Sequence, residues 1–300
     1  MGYQPQKNKN ENNIKTMFGT VIYNAALKYK DDFINSINAQ IADDFEVLII
    51  NDDVAVQEMN SIQQRILHKT KIVQKPNEMS IAELRVFLIE QAKKNGCQLL
   101  ILGDFDDTFQ ENRISSIRNH FCMAYGFYYN NLCTMDKSNV FKWLPETCEN
   151  VSCILEGNFL GLSTTALNLD AFSEDFINSL YECNIPIFDW YLFLRLLLYK
   201  KKGLYIKNTT TFYRIHENNI AGILKKDEIS LKKELQLKLK LYSLLRKYSP
   251  QIETIYKKYK EIEKDNYESY INPNTKGFWW NNFQIYNKEH SCNSLKAPIE

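Results

Sequence analysis

The sequence predicts an α/β fold: an open, mostly parallel sheet flanked by helices, with a helical C-terminal extension. Three observations predict it. Short, near-continuous apolar runs alternate with segments of helical spacing, as expected for parallel strands covered on both faces and joined by crossover helices. The apolar runs end in polar or acidic residues, at the strand ends where ligands bind in such sheets. From Lys225 onward the pattern changes to long, Lys-rich amphipathic stretches.

Residues 1–16 are polar, rich in Asn and Lys, and lack the apolar core of a secretory signal. They are expected to form a disordered N-terminal segment, with order starting at Met17. Phe18 to Asn24 (FGTVIYN) is β-branched and aromatic and reads as the first strand. Tyr29 to Ala42 has helical spacing, with Phe33, Ile34, Ile37 and Ile41 on one face. Phe45 to Ile50 (FEVLII) reads as a strand buried on both faces and runs into Asn51-Asp52-Asp53. A helix over Met59–Leu67 and a short strand over Lys71–Gln74 follow. Ser80 to Lys94 is a helix whose Ser80 and Glu83 form a capping box. Cys97 to Leu102 is the next buried strand, ending in Gly103-Asp104-Phe105-Asp106-Asp107.

The second half is less regular. Tyr125 to Met135 reads as strand, Pro186 opens a helix to about Tyr199, and Leu204–Lys207 and Thr210–Arg214 read as two short strands. Beyond Lys225, Leu231, Leu235, Leu239, Tyr242 and Leu245 mark an apolar helix face, and Pro250 breaks it. The resulting division is 1–16, a catalytic-type domain over 17–222 and the extension over 223–300.

Composition narrows the function classes. A chain of 300 residues, 44% of them hydrophobic, can bury a sizeable core and is not a disordered protein. With 37 Lys+Arg against 36 Asp+Glu the net charge is +1, so no global field draws the chain to nucleic acid, and none is expected as a partner. No window reaches the ~18–20 apolar residues of a membrane span; the greasy stretch Trp190–Tyr199 is interrupted by Arg195. The 7 cysteines form no C-x-x-C pair and read as reduced, mostly buried thiols. A cytoplasmic location is expected, at most peripheral at the inner face of a membrane.

The strongest chemical signal is acidic. Asp104, Asp106 and Asp107 crowd three carboxylates at the end of a buried strand, and Arg113 is the nearest basic residue in sequence. A hard divalent ion such as Mn²⁺ or Mg²⁺, shared with phosphate oxygens, would relieve their repulsion. A solvated acidic turn or a helix N-terminus over Thr108–Ser116 is the alternative. Asp52-Asp53 ends the neighbouring strand, so two acidic strand ends should face one crevice. Arg85, on the intervening helix, is either a diphosphate or base contact or a surface partner of Glu83 or Glu90. Asp189 lies in the first turn of its helix with Leu192, Phe193 and Leu196 on the same face. It reads as a pocket-facing general base or as a residue stabilising the helix N-terminus. Arg195 is a candidate partner for an acid at the rim of the core. Gly157-Asn158 and Gly161 suit either the wall of a sugar site or tight packing of their loop.

The order VIYN, FEVLIINDD, the Arg85 helix, LLILGDFDD, IPIFDWYLFLRLLL and FYRIHENNIAG resembles the GT-A glycosyltransferases of the family 2 type, over about Met17 to Gly222. The resemblance implies a nucleotide-diphosphate sugar donor, with Asn24, Asp52, Asp53, Arg85, Asp104, Asp106, Arg214 and His216 on the donor side. It also implies Mn²⁺ or Mg²⁺ held near Asp106, Asp107 and His216, and Asp189 as catalytic base. Val54-Ala55 stands where the pattern has Gly-Ser, Val86 where it commonly has Asn, and no proline follows the D-x-D. The implied activity is inverting, metal-dependent transfer, a UDP-sugar first, to a hydroxyl of a glycan or lipid-linked glycan. Bacterial surface polysaccharide or lipooligosaccharide assembly is the implied setting. The competing classes are a sugar nucleotidyltransferase, for which Asn24–Lys28 is a poor phosphate loop, and a non-catalytic nucleotide-sugar-binding protein. The Lys-rich extension and its Phe278, Trp279, Trp280, Phe283 and Tyr286 cluster suggest packing on the domain or a second subunit, or contact with a membrane surface.

Overall fold

The computed structural model describes residues 14–76, 78–215, 228–264, 270–271 and 277–283. Residues 1–13, His216, Asn219, Tyr286 and the start of the extension through Asp227 lie outside the described residues.

The apolar runs become strands with both faces covered. In β1 (Thr16–Tyr23), β2 (Glu46–Asp52) and β4 (Leu99–Leu102), alternate side chains enter different cores. Met17, Val21, Leu48, Ile50, Leu100 and Leu102 belong to one core. Phe18, Ile22, Val47, Ile49, Leu99 and Ile101 belong to the other. This is the strand period of 2 applied to a sheet with no solvated face. Helices α1 (Lys30–Asn38), α2 (Val56–Arg65) and α4 (Arg113–Arg118) cover the second core. Helix α3 (Ile81–Lys94), α5 (Glu174–Ser179) and α6 (Phe188–Leu198) cover the first.

Strands β3 (Thr70–Gln74), β2, β1 and β4 are parallel neighbours. Beyond β4 the sheet is mixed. It continues through β8 (Thr165–Asn168), β6 (Tyr125–Thr134), β9 (Lys202–Tyr213) and β5 (Thr108–Phe109), with β7 (Thr147–Cys148) paired to β9. The β4–β8, β8–β6, β9–β5 and β9–β7 pairs are antiparallel and β6–β9 is parallel. The parallel character read from the sequence is therefore carried by its first four strands.

Several local expectations shift for identifiable reasons. Ile41 is 65% exposed, because the chain leaves α1 at Asn38. Gln40 then bonds the Gln110 carbonyl and the Ile114 amide, and the Ile41 amide donates to Glu111. The residues after Asp107 form β5 rather than a helix. The two short strands near the end are one strand, β9, with a register shift opposite Asn130–Asn131 that leaves Lys207–Thr209 outside the pairing. Arg195 is fully buried and pairs with no acid among the described residues. Its guanidinium donates to the Tyr191 hydroxyl (2.6 Å) and Ser179 Oγ (2.8 Å), 4.1 Å from the Tyr248 ring centre.

The extension shares the main core. Helix α7 (Glu228–Leu245) buries Leu231, Leu235, Leu239, Tyr242 and Leu245, the face its spacing predicts, and α8 (Pro250–Lys264) buries Ile252, Ile255, Tyr259 and Ile262. All belong to the core that includes Leu100 and Phe127. No helix among the described residues is long and apolar enough to cross a membrane.

Candidate functional site

A cleft of about 450 Å³ opens at the carboxyl ends of β1, β2 and β4. That volume suits a small-molecule ligand. It is lined by Tyr23, Asp52, Leu84, Arg85, Asp104, Asp106, Asp189, Tyr213, Trp279 and Trp280.

Helix α3 aims Arg85 into the cleft because its start is held. Ser80 Oγ accepts the Glu83 amide and Glu83 returns to the Ser80 amide, the expected capping box. That engagement occupies Glu83, and Glu90 pairs with Lys94. Arg85 instead reaches Asp104, with Nη2 2.5 Å from Oδ1. The surface pairing with Glu83 or Glu90 is thus replaced by a pair inside the cleft.

The acidic end of β2 has a partner that the sequence reading missed. Lys75, just after β3, places Nζ 2.6 Å from Asp52 Oδ1 and 2.7 Å from Asp53 Oδ2. The signal was available: Lys75 ends the third parallel strand beside Asp52-Asp53. Asn51 shapes this turn by bonding the Val54 amide and carbonyl, and Asp53 adopts a left-handed φ of 60°. Asp52 lines the cleft, whereas Asp53 and Asn24 do not. The exposed Asn24 donates Nδ2 to the Asp53 carbonyl at 3.2 Å.

The turn Asp104-Phe105-Asp106-Asp107 is pinned by Phe105, buried and stacked 4.4 Å from Phe33. It leaves Asp104 and Asp106 on the cleft and buries Asp107, 1% exposed. Asp107 Oδ1 accepts the Arg214 amide at 2.9 Å, while buried Oδ2 has no hydrogen-bond partner among the described residues. Burial, then the nearby Asp106 and Asp104, hold its carboxyl well above the usual range. Burial, then Asp106 and Asp104, likewise push the Tyr23 hydroxyl up to about 12. Arg214 braces the turn from the end of β9, with Nε on the Asp106 carbonyl (2.9 Å) and Nη2 2.6 Å from Asp32. Beneath it, fully buried Arg113 donates to the Leu102 and Ser163 carbonyls and to Asn130, and burial lowers its pKa to about 9.

Among the described residues, no group of three His, Cys, Asp or Glu is placed to hold a metal ion. The donor chemistry nonetheless suits one: a buried carboxylate oxygen without a partner, beside two further carboxylates. Mg²⁺-type ions are commonly bound by one or two carboxylates with substrate phosphate oxygens and water completing the shell.

The start of α6 presents Asp189 to the same cleft. Burial raises its pKa to about 7, against hydrogen bonding at the Trp190 amide. Asn158 Nδ2 lies 3.2 Å from Asp189 Oδ2 and orients the carboxylate. Leu192, Phe193 and Leu196 are buried as their spacing predicts.

Part of the cleft lining comes from the C-terminal segment, whose aromatic cluster packs on the domain, the first of the alternatives read from the sequence. The Asn158 and Trp279 backbones exchange two hydrogen bonds of 2.9 Å. A Cβ on Gly161 would lie 2.9 Å from the Trp279 ring, and one on Gly157 would lie 2.4 Å from Asn281. These glycines serve the close approach of that segment. On α7, buried Glu234 accepts the Asn282 and Phe283 amides (3.0 and 3.3 Å) and lies 3.2 Å from buried Lys238. Lys238 donates to the Glu156 and Phe283 carbonyls at 2.8 and 3.2 Å. Replacing Glu234 by Gln removes the nearest counter-charge of the buried Lys238 ammonium. A loss of about 3 kcal/mol in denaturant unfolding is expected, with altered Trp fluorescence as residues 277–283 loosen.

No protein-family model and no curated protein sequence matches the chain. Solved structures do. S. aureus TarS 1-349 aligns over 77% of this chain and 65% of its own length, at 15% identity and a TM-score of 0.52. The chain thus spans slightly less than two thirds of that fragment. The same TarS fragment in complex with UDP-GlcNAc aligns over 78% and 71%, at 14% identity and a TM-score of 0.53. The mannosyltransferase PcManGT from Pyrobaculum calidifontis, in complex with GDP-Man and Mn²⁺, aligns over 81% and 69%, at 7% identity and a TM-score of 0.54. The strand order, the cleft at the parallel strand ends and these likenesses agree on the architecture: the chain has the GT-A fold.

Proposed function

We propose that the protein is an inverting, metal-dependent glycosyltransferase. It would move a sugar from a nucleotide-diphosphate donor, a UDP-sugar first, to a hydroxyl of a glycan or lipid-linked glycan. The observation that carries the reading is that one cleft is lined by Asp52, Arg85, Asp104, Asp106 and Asp189, with Asp189 within electrostatic reach of Asp104 and Arg85. TarS with UDP-GlcNAc and PcManGT with GDP-Man and Mn²⁺ support it at the level of fold.

In this reading Asp52 and Asp104 accept hydrogen bonds from the nucleoside, with Asn24 and Asp53 shaping the rim. Arg85, released from Asp104, and Arg214, at the acidic turn, face the diphosphate. Asp106 and Asp107, with His216 from the segment after Arg214, are the residues to hold Mn²⁺ or Mg²⁺. When bound, the ion supplies Lewis-acid stabilisation of the charge developing on the departing nucleotide diphosphate. Asp189 takes the acceptor hydroxyl proton as that oxygen attacks the anomeric carbon from the face opposite the leaving group. One displacement inverts the anomeric centre.

The test is a thermal-shift screen of UDP-, GDP-, CMP- and dTDP-sugars with and without Mn²⁺. A donor at about 100 times its Kd adds about 2.7 kcal/mol, a rise of several degrees in Tm. The rise should be larger with Mn²⁺. No stabilisation by any of the four would remove the donor-site reading.

A further inference from the structure

The nucleotide and the acidic turn account for one side of the cleft, and the other side carries two indoles that the transfer chemistry does not use. Trp279 is wedged 5.0 Å from the Phe141 ring and against Gly161, and its buried Nε1 has no hydrogen-bond partner among the described residues. Trp280 lines the cleft at a left-handed φ of 60°. A bulky residue with positive φ is a backbone outlier, tolerated when the surrounding structure holds it. Here the holding is visible. Glu234 and Lys238 clamp Asn282 and Phe283 on one side of Trp280, and the Asn158 pairing clamps Trp279 on the other. Asn158 also donates to Asp189. One residue therefore sets both the orientation of the carboxylate and the position of the tryptophan pair.

From this placement we propose that Trp280, backed by Trp279, is an acceptor subsite for a pyranose ring, so that the acceptor group is a carbohydrate. The proposal deepens the glycosyltransferase reading and rests on it. A pyranose has an apolar C–H face and a polar edge. The cleft offers both, with indole surface and apolar Leu162 and Ile187 in its lining together with the Asp189 carboxylate, which Asn158 ties to the Trp279 backbone. Aromatic side chains supply large, rigid contact area. A lipid chain would not need the carboxylate beside it, and a phosphate would be repelled by it. Trp279 is built into the wall, and Trp280 is the ring available for stacking.

The experiment uses the full chain with ¹⁵N-labelled tryptophan, whose 4 indoles (Trp143, Trp190, Trp279 and Trp280) give separate N–H signals. Single Trp→Phe variants assign them. The protein, with UDP and Mn²⁺ present, is titrated with the methyl glycosides of glucose, galactose, mannose and N-acetylglucosamine. At least one glycoside is expected to shift the Trp280 signal, with Trp279 following, while Trp143 and Trp190 stay in place. Trp280→Gly removes the ring and suits the positive φ, so a folded protein is expected. It should bind UDP as the wild type does and bind the glycoside about tenfold more weakly, a loss of about 1.4 kcal/mol. Trp280→Tyr should recover most of that affinity. If UDP binds but no glycoside moves the Trp280 signal, or Trp280→Gly binds the glycoside as tightly as wild type, the subsite is refuted and the donor reading stands. If no nucleoside diphosphate binds either, both fail.

Discussion

Asp189→Asn is expected to lower turnover about 10³-fold, within the range that a positioned general base contributes. Donor binding should be nearly unchanged, because the amide keeps the shape of the carboxyl group and Asp189 is not among the proposed donor or metal ligands. With the wild-type pKa near 7, kcat/KM should rise with pH through about 7 as the carboxylate ionises and flatten above it. The variant should lose that limb. Stability should move in the opposite sense. A carboxyl whose folded pKa is raised lends stability below its unfolded pKa of about 4, and this is lost as pH rises through the folded value. Asn at this position stays neutral, so its advantage over wild type should grow between about pH 4 and 7 and then level off. Since the group borders a solvent-filled cleft, about 2 kcal/mol is the expected scale, read as a higher Tm at pH 8. A variant with near wild-type turnover, or with no pH-dependent gain in Tm, would exclude Asp189 as a partly desolvated base.

Asp107→Asn should have the next largest effect. The amide keeps an oxygen for the Arg214 N–H but removes the charge that Asp106 and Asp104 oppose. Without donor or Mn²⁺, the variant should melt higher than wild type at neutral pH, because burial and like charge hold the wild-type carboxyl well above its ordinary range. With donor and Mn²⁺ the order should reverse. Wild type should gain several degrees, whereas the variant should gain little and lose about two to three orders of magnitude in turnover, the scale for removing one preorganised electrostatic group. Unchanged Mn²⁺-dependent donor binding in Asp107→Asn would show that this carboxylate does not support the ion. The two variants separate the roles. Asp189→Asn should uncouple chemistry from donor binding, and Asp107→Asn should remove donor binding together with chemistry.

Much of this was legible in the chain. Runs such as Val47 to Ile50 and Leu99 to Leu102 have no polar alternation, which can be satisfied only by a sheet covered on both faces; Leu48 and Ile49 indeed enter different cores. The Ser80–Glu83 box was local and therefore readable. The acidic strand ends were readable too, because three carboxylates in four residues imply a partner of positive charge. What was not readable shares one property, distance in sequence. Arg85 had acids at Glu83 and Glu90 as near neighbours, yet Asp104 takes it because Glu83 is engaged by the helix cap. Arg195 looked like an acid's partner and is held by hydroxyls and aromatic rings. The placement of Trp279 and Trp280 depended on a buried pair on α7 and on two glycines over a hundred residues earlier in the chain.

The sequence by itself determined the α/β class, the parallel half of the sheet, the acidic strand ends and the helix bearing Asp189. Each follows from hydrophobic period, capping or charge density over a short window. Only the tertiary structure decided that Asp107 is buried with an unpartnered oxygen while Asp53 pairs with Lys75 beyond the cleft lining, and that the C-terminal tryptophans complete the cleft. Those outcomes depend on desolvation and on contacts between distant segments, and neither is encoded in any local pattern of residues.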